Sequence, residues 1–275
     1  MTTPSIRLND GHDIPQLGFG VWQVPNQEAA TVVTAAISAG YRLIDTAAIY
    51  GNEEGVGDAI AVTSLKRPDL FITTKLWNSD QGFDSTLRAF DASMKRLRLD
   101  KLDLYLIHWQ AVQRRAYLDS WKAFIKLRDD GRIASIGVSN FSVPTLERLR
   151  EETGVVPAVN QIELHPHFQQ RALRAYHAQA GIATQSWSPL GQGRAIGNPA
   201  IAAIARKHRK TPAQIIVRWH LDLGLVAIPK SVTPARIAEN FAVFDFKLTA
   251  EDLQVIENLD SSGGRIGPNP DHFGG

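Results

Sequence analysis

Short apolar segments with the length and composition of buried β-strands recur eight times along the 275-residue chain. Their starts lie 23 to 43 residues apart, which leaves room for a helix after each strand. Between the segments, apolar side chains recur at steps of three and four residues, as over residues 85–97, and would share one face of a helix. The apolar segments begin at Leu17, Arg42, Leu70, Leu102, Ser135, Ala158, Ile182 and Leu225.

Eight strand–helix repeats predict an α/β fold in which a parallel sheet closes into a (β/α)8 TIM barrel. We expect residues 1–275 to form this single domain. The seventh interval is the longest and holds two helical segments, residues 199–208 and 212–223, so one of these helices is additional to the repeat. The alternative is a doubly wound open sheet, but its G-x-G-x-x-G fingerprint is absent after the first strand. The pattern therefore favours the barrel.

The two ends of the chain flank this barrel. An Asp10-Gly11 turn between short strand-like segments predicts a β-hairpin over residues 5–15, which would close the bottom of the barrel. Residues 260–275 contain five glycines and two prolines, which predict a loop. The N-terminus has no basic segment followed by an apolar run, and the longest charge-free apolar stretch, residues 29–41, is too short to span a bilayer. We therefore expect a cytoplasmic protein with no membrane partner.

Composition narrows the chemistry further. The chain has 30 basic and 28 acidic residues, and this balance gives no indication of a nucleic-acid partner. It has no cysteine, which excludes disulfides, thiol nucleophiles and cysteine-ligated metal sites. Proton transfer must therefore come from oxygen and nitrogen acids.

Polar or hydrogen-bonding side chains stand at the carboxyl ends of most predicted strands. Barrel enzymes place their chemistry at this end of the barrel, so these side chains would converge on one mouth. Singly, each has a structural explanation, such as a helix cap or a buried histidine. Three consecutive strand ends that carry Asp45, Lys75 and His108 are harder to explain in that way. The full set is Asp45, Lys75, His108, Asn140, Gln161, Trp187 and Lys230.

Tyr50 follows Asp45 by five residues and completes, with Lys75 and His108, a group that can deliver a proton. A phenol with a pKa of about 10 is a poor acid at neutral pH. We expect the Lys75 ammonium to lower that pKa, while Asp45 holds the ammonium in place. His108 could orient a substrate oxygen or share the proton. This group suits proton delivery to a carbonyl as hydride arrives, and it does not suit nucleophilic catalysis.

Six ordered blocks make the chain resemble the aldo-keto reductase superfamily. Within it, the segments Gly51–Gly57 and Trp187–Gly193 most resemble those of the bacterial 2,5-diketo-D-gluconate reductases. The blocks are DTAAIYGNEE (45–54), FITTKLW (71–77), DLYLIHW (103–109), IGVSNF (136–141), NQIELHP (160–166) and IPKSVT (228–233).

The resemblance implies a monomeric barrel that binds NADPH without a glycine fingerprint and reduces an aldehyde or ketone of the α-dicarbonyl or keto-sugar acid type. It implies a catalytic tetrad of Asp45, Tyr50, Lys75 and His108, with Tyr50 as the proton donor. Trp187 would stack on the nicotinamide. The other implied cofactor residues are Ser139, Asn140, Gln161, Ser188, Leu190, Lys230, Ser231, Val232, Thr233, Arg236, Glu239 and Asn240.

The block from Lys230 to Asn240 matches the site for the adenosine 2′-phosphate, and its chemistry agrees. A guanidinium such as Arg236 binds phosphate oxygens in pairs, and a helix beginning near Pro234 offers free amide N–H groups. We therefore expect NADPH to be preferred over NADH. The resemblance also places Trp22, Trp77 and Trp109 in the substrate pocket. Gln110 departs from the family pattern, because a proline usually follows the His-Trp pair.

Two alternative functions remain open from the sequence. His165 and His167 form a ligand-like pair at a strand end, as in metal-dependent hydrolase barrels, although further ligands are scarce. The second alternative is a regulatory module that binds NADPH without turnover, against which the intact tetrad argues.

Overall fold

The computed structural model describes residues 3–274 and contains the predicted barrel. Ten strands are present: β1 (Ser5–Arg7), β2 (Asp13–Pro15), β3 (Gly18–Gly20), β4 (Leu43–Asp45), β5 (Phe71–Leu76), β6 (Leu102–Ile107), β7 (Ile133–Ser139), β8 (Val159–Glu163), β9 (Ala183–Trp187) and β10 (Val226–Ala227). Ten helices accompany them: α1 (Asn26–Ala39), α2 (Glu53–Val62), α3 (Phe83–Leu97), α4 (Tyr117–Asp129), α5 (Val143–Thr153), α6 (Arg171–Ala180), α7 (Pro199–His208), α8 (Pro212–Asp222), α9 (Pro234–Phe241) and α10 (Ala250–Glu257).

Strands β3 to β10 form one parallel sheet in sequence order. Its first and last strands meet where Leu17 forms a parallel bridge with Ala227 and where the Gly20 amide donates to the Pro229 carbonyl at 3.2 Å. The prediction of a (β/α)8 barrel is confirmed. The two helices predicted in the seventh interval are α7 and α8, and α8 ends at Asp222, one residue earlier than expected.

The N-terminal hairpin closes the bottom of the barrel, as predicted. Strands β1 and β2 pair antiparallel, and the buried side chains of Leu8 and Ile14 join a core cluster with Leu43 and Val226. Burial of such apolar side chains stabilises the closed end of the barrel.

Side-chain caps define where several helices begin. The Asn198 side chain accepts hydrogen bonds from the first turn of α7, and Thr211 forms a reciprocal capping box with Gln214 at α8. Thr249 and Asp252 form a second capping box at α10. Such caps satisfy amide groups that would otherwise lack partners. Among residues 3–274, the model contains no helix with the length and apolar content that a membrane span requires.

The segment after α10, residues 258–274, forms no helix or strand, in agreement with the predicted loop. We call it the tail. It returns across the open, carboxyl end of the barrel, where Gly267, Pro268 and Phe273 line the main cavity. The tail therefore contributes directly to the site described next.

Candidate active site

A buried ion pair lies at the carboxyl ends of β4 and β5. Lys75 Nζ donates to Asp45 Oδ1 at 2.5 Å and to the Thr46 carbonyl at 2.9 Å. The side chains of Lys75 and Asp45 are 0% and 2% exposed, so water does not screen their attraction. The pairing of two adjacent parallel strands brings the two residues together.

Tyr50 lies beside this pair, on a short 3-10 turn over Ala48–Tyr50 that follows β4. Lys75 Nζ is 5.0 Å from the centre of the phenol ring. The imidazole of His108 meets the same ring edge-on, with the ring centres 5.7 Å apart. The four residues predicted to act together are therefore adjacent.

Burial determines the net pKa of the phenol. It raises the pKa of Tyr50 above its usual value, and the opposing effect of Lys75 does not cancel the increase. The Lys75 ammonium lowers the pKa, as predicted, but the cost of placing a phenolate in a dry site is larger, so the net shift in the protein alone is upward. For Lys75, burial is the largest single influence and opposes the charge, but the attractions of Asp45 and Tyr50 and their hydrogen bonds together outweigh it and raise the pKa of the ammonium.

His108 is held neutral. Burial and then the nearby Lys75 charge lower its pKa well below the usual value for histidine. Of the two roles considered for this residue, orientation of a substrate oxygen fits a neutral imidazole better than donation of a proton from its cation.

A chain of amides extends the ion pair across the barrel. Gln161 Nε2 donates to Asp45 Oδ2 and to Gln185 Oε1, each at 2.8 Å. All of these side chains are buried. The second carboxylate oxygen of Asp45 is therefore also satisfied, and the orientation of the Gln161 amide is determined by two acceptors.

A second network joins the next strands. Trp187 Nε1 donates to Asn140 Oδ1 at 2.8 Å, and Asn140 Nδ2 donates to the His108 carbonyl and to Ser139 Oγ, each at 3.0 Å. Asn140 has a φ of +60°, in the left-handed region. The network positions the Trp187 ring at the mouth.

These networks lie beneath a cavity of ≈ 730 Å³ at the mouth of the barrel. Its lining includes most of the residues predicted from the sequence, and Trp22, at 44% exposure, stands at the rim. The predicted residues in the lining are Trp22, Asp45, Tyr50, Trp77, His108, Trp109, Ser139, Asn140, Gln161, Trp187, Ser188, Leu190 and Lys230.

Lys75 lies under the lining. The remaining predicted cofactor residues lie outside the cavity, in the segment that leads into α9 and along that helix. Arg236 is exposed in the first turn of α9, and Thr233 at its N-cap makes no side-chain hydrogen bond to the helix. Glu239 instead accepts a hydrogen bond from Thr211 at 2.8 Å, and Asn240 is buried. The others, Ser231 and Val232, precede the helix.

Backbone strain concentrates around the cavity. Within residues 3–274, nine residues other than glycine have a positive φ, and four of these line the cavity. Such conformations cost free energy and are frequent at functional sites. The four are Gln23, Asn140, Ser188 and Gln192.

The sequence did not single out the tail residues in the site or their anchor. Glu163, the last residue of β8, accepts hydrogen bonds from the amides of Ile266 at 2.6 Å and Gly267 at 2.8 Å. Burial opposes its ionisation, but these bonds and one from His165 outweigh it and lower the pKa of Glu163. The sign of this anchor in the sequence is that an acidic residue, Glu163, stands at the end of an apolar strand.

The His165–His167 pair does not form a metal site. His165 Nε2 lies 3.0 Å from Oε1 of Glu163, the carboxylate that also holds the tail. Within residues 3–274 no group of three or more His, Asp or Glu side chains could hold a metal ion. The hydrolase alternative therefore has no support in the arrangement.

The fold and site define a barrel oxidoreductase built for carbonyl chemistry. Comparison with known proteins agrees: residues 16–261 match the aldo/keto reductase family model, and the chain belongs to this family. Over 271 residues it is 57% identical to an aldo-keto reductase of Mycolicibacterium smegmatis, covering 98% of both chains. It is 53% identical to the methylglyoxal reductase DkgA of Escherichia coli, covering 100% of both.

Solved structures show the same similarity. An aldo/keto reductase from Brucella melitensis has a TM-score of 0.92 at 57% identity, over 94% of this chain and 100% of that one. A Gox0644 variant in complex with NADPH has a TM-score of 0.96 at 52% identity, over 99% of both chains.

Proposed function

We propose that this protein reduces an aldehyde or ketone to an alcohol with NADPH, and that Tyr50 supplies the proton. The observation that carries the proposal is the buried Asp45–Lys75 ion pair beside the phenol of Tyr50, at the floor of the cavity. A non-catalytic role would have no need for a charged amine held in a dry site, where its burial is costly.

Each member of the tetrad has a separate task. NADPH, when bound, supplies the hydride. Tyr50 donates a hydrogen bond to the carbonyl oxygen and gives up its proton, and the Lys75 ammonium stabilises the phenolate that remains. Asp45 keeps Lys75 charged and in place. The neutral His108 imidazole orients the carbonyl oxygen.

The strand-end networks fit a nicotinamide. The N–H groups of Gln161 are directed to Asp45 and Gln185, which leaves Gln161 Oε1 free to accept a hydrogen bond from the carboxamide. Ser139 and Asn140 supply the neighbouring polar groups, and Trp187 offers a ring face. The NADPH complex of the similar Gox0644 supports this assignment.

The start of α9 fits the phosphate that distinguishes NADPH from NADH. Arg236 is exposed there, Lys230 is nearby at the cavity rim, and the helix N-terminus has no side-chain cap. We expect Arg236→Ala to weaken NADPH binding roughly tenfold or more and to leave NADH binding within about twofold, since a charge-assisted hydrogen bond contributes about 1.5–3 kcal/mol. Equal weakening of both in fluorescence titrations would contradict this assignment.

For the substrate we propose an α-dicarbonyl or a keto-sugar acid, with Trp22, Trp77 and Trp109 around it. The name of the similar DkgA protein, methylglyoxal reductase, supports the first class. NADPH oxidation with methylglyoxal, a diketo-sugar acid and a simple aldehyde would rank the classes by kcat/KM.

The decisive experiment is Tyr50→Phe. This change removes only the hydroxyl, so we expect NADPH affinity within about twofold of wild type and a loss of turnover of about 10²-fold or more. Tyr176→Phe, on α6 and away from the cavity, is the matched control. Near-normal turnover by Tyr50→Phe would refute the assignment.

The organisation of the protein stays a prediction. We propose that residues 1–275 act as one domain and as a monomer in the cytoplasm, with no nucleic-acid partner. Light scattering on the purified protein tests the monomer.

A further inference from the structure

The tail is attached at two places on the rim of the cavity. At the end of β8, Glu163 accepts the amide hydrogen bonds of Ile266 and Gly267. Beyond the end of β6, Asp271 is bonded to the following loop: its side chain accepts from Gln110 at 3.0 Å and its carbonyl from Gln113 at 3.1 Å. Residues 266–271 therefore lie between two anchors, at strands that flank β7 in the sheet.

Gln110 is the buried part of the second anchor. Its Oε1 accepts hydrogen bonds from the Ser142 amide at 3.0 Å, Ser142 Oγ at 3.1 Å and Thr145 Oγ1 at 2.8 Å, at the start of α5. Its side chain is 0% exposed, and the remaining amide group, Nε2, donates to Asp271. One amide thus ties the tail to a helix of the barrel, and a proline at this position could not do so.

The anchor positions an aromatic wall. Phe273, two residues after Asp271, packs on Trp109 with ring centres 4.5 Å apart and approaches Trp77 at 6.4 Å. All three rings line the cavity. A tail free to move at Asp271 would carry the Phe273 ring away from the two tryptophans.

We propose that Gln110 and Asp271 form a latch that holds Phe273 against Trp109 and so adapts the pocket to small carbonyl substrates. This rests on the proposed function, because the latch acts on the carbonyl site of that reaction. Gln110 is a positioning residue here and touches no reacting atom. A small dicarbonyl such as methylglyoxal depends on the Phe273 ring for contact. A bulky one such as phenylglyoxal fills that space with its own ring.

Two variants open the latch in different ways. Gln110→Glu keeps the acceptor toward Ser142 and Thr145 but replaces the donor with a carboxylate that faces Asp271. Asp271→Ala removes the acceptor of Gln110 Nε2 and keeps the bonds that Gln110 Oε1 accepts from Ser142 and Thr145. For both we expect the KM for methylglyoxal to rise about fivefold, since one hydrogen bond contributes about 1 kcal/mol. We expect kcat, NADPH affinity and the KM for phenylglyoxal to stay within about twofold.

An exchange of the two groups provides the rescue. In the double variant Gln110→Glu/Asp271→Asn the amide and the carboxylate change places, so the hydrogen bond can form in the opposite direction. We expect the KM for methylglyoxal to return to within about twofold of wild type, which a purely structural role of Gln110 would not produce. His272→Ala, an exposed neighbour in the tail, is the matched control and should have no effect.

Turnover of phenylglyoxal without turnover of methylglyoxal by wild type would refute the adaptation to small substrates. If wild type reduces methylglyoxal but Asp271→Ala leaves the ratio of the methylglyoxal and phenylglyoxal KM values unchanged, the latch is refuted. Failure of the exchange to restore that ratio, with both variants folded, refutes it as well. If wild type reduces no carbonyl with NADPH, the proposed function fails instead.

Discussion

Removing the charge of Asp45 tests how much the buried Asp45–Lys75 ion pair at the floor of the site contributes to the stability of the protein. In Asp45→Asn the Lys75 ammonium keeps the Thr46 carbonyl as an acceptor but loses its carboxylate. Breaking a buried pair from one side costs about 3–5 kcal/mol, because an uncompensated charge is left in a dry site. We expect Asp45→Asn to lower the free energy of unfolding by this amount at pH 7.

The pH dependence of this loss has a defined sign. Without Asp45, burial is the dominant influence on Lys75 and lowers the pKa of its ammonium below that of the unfolded chain. The unfolded state then binds more protons than the native state, so the stability of the variant rises with pH. Its deficit relative to wild type should shrink between pH 7 and pH 9.

Urea unfolding followed by tryptophan fluorescence measures these changes, since the chain contains six tryptophans. Lys75→Met should also be destabilising, and the double variant Asp45→Asn/Lys75→Met should cost clearly less than the two single changes together. Asp58→Asn breaks an exposed ion pair with Arg98 and should cost no more than about 1 kcal/mol. Additive single losses, or a cost for Asp45→Asn equal to that of Asp58→Asn, would refute the reasoning.

Two further predictions concern a buried histidine and the tail. Burial lowers the pKa of His177 to about 4. Between about pH 6.5 and pH 4 the unfolded chain therefore binds a proton at this residue that the native chain does not bind. The free energy of unfolding falls by about 3 kcal/mol over this range. Urea unfolding at pH 7 and pH 5 should show a smaller loss for His177→Gln, and an equal loss would contradict the assignment. A Cβ at Gly264 would lie 1.7 Å from the His167 carbonyl oxygen, so Gly264→Ala should displace the tail and lower kcat/KM at least about tenfold. Gly263→Ala, whose Cβ meets nothing nearer than 4.0 Å, is the matched control, and equal kinetics for the two variants would rule out the predicted displacement.

The barrel and the positions of its strand-end residues were predictable because each depends on short-range pattern. Eight apolar runs at helix-sized intervals define the repeat, and parallel pairing brings the ends of neighbouring strands to one mouth. Asp45 and Lys75 therefore meet although 30 residues separate them. Tyr50 does not stand at a strand end, so it was identified from its place five residues after Asp45, and the family resemblance supplied the roles of the four residues as a tetrad.

The pKa of Tyr50 and the role of the tail were not predictable in the same way. Desolvation of the phenol depends on how completely the surrounding loops cover it, which no local pattern encodes. The tail anchors join Glu163 to Gly267 across 104 residues and Gln110 to Asp271 across 161. A glycine- and proline-rich segment has no periodicity from which such contacts could be inferred.

The two parts of the cavity consequently differ in how they are held. On the barrel side, Lys75, Asp45 and Gln161 are buried and bonded to one another, so a substitution there leaves a polar group without a partner in a dry site. On the tail side, Asp271 is exposed, so when its carboxylate is lost water can enter that position and accept from Gln110 Nε2. Changes in the tail should therefore alter which carbonyl compounds are accepted at little cost in stability, whereas changes at the strand ends should cost both turnover and stability.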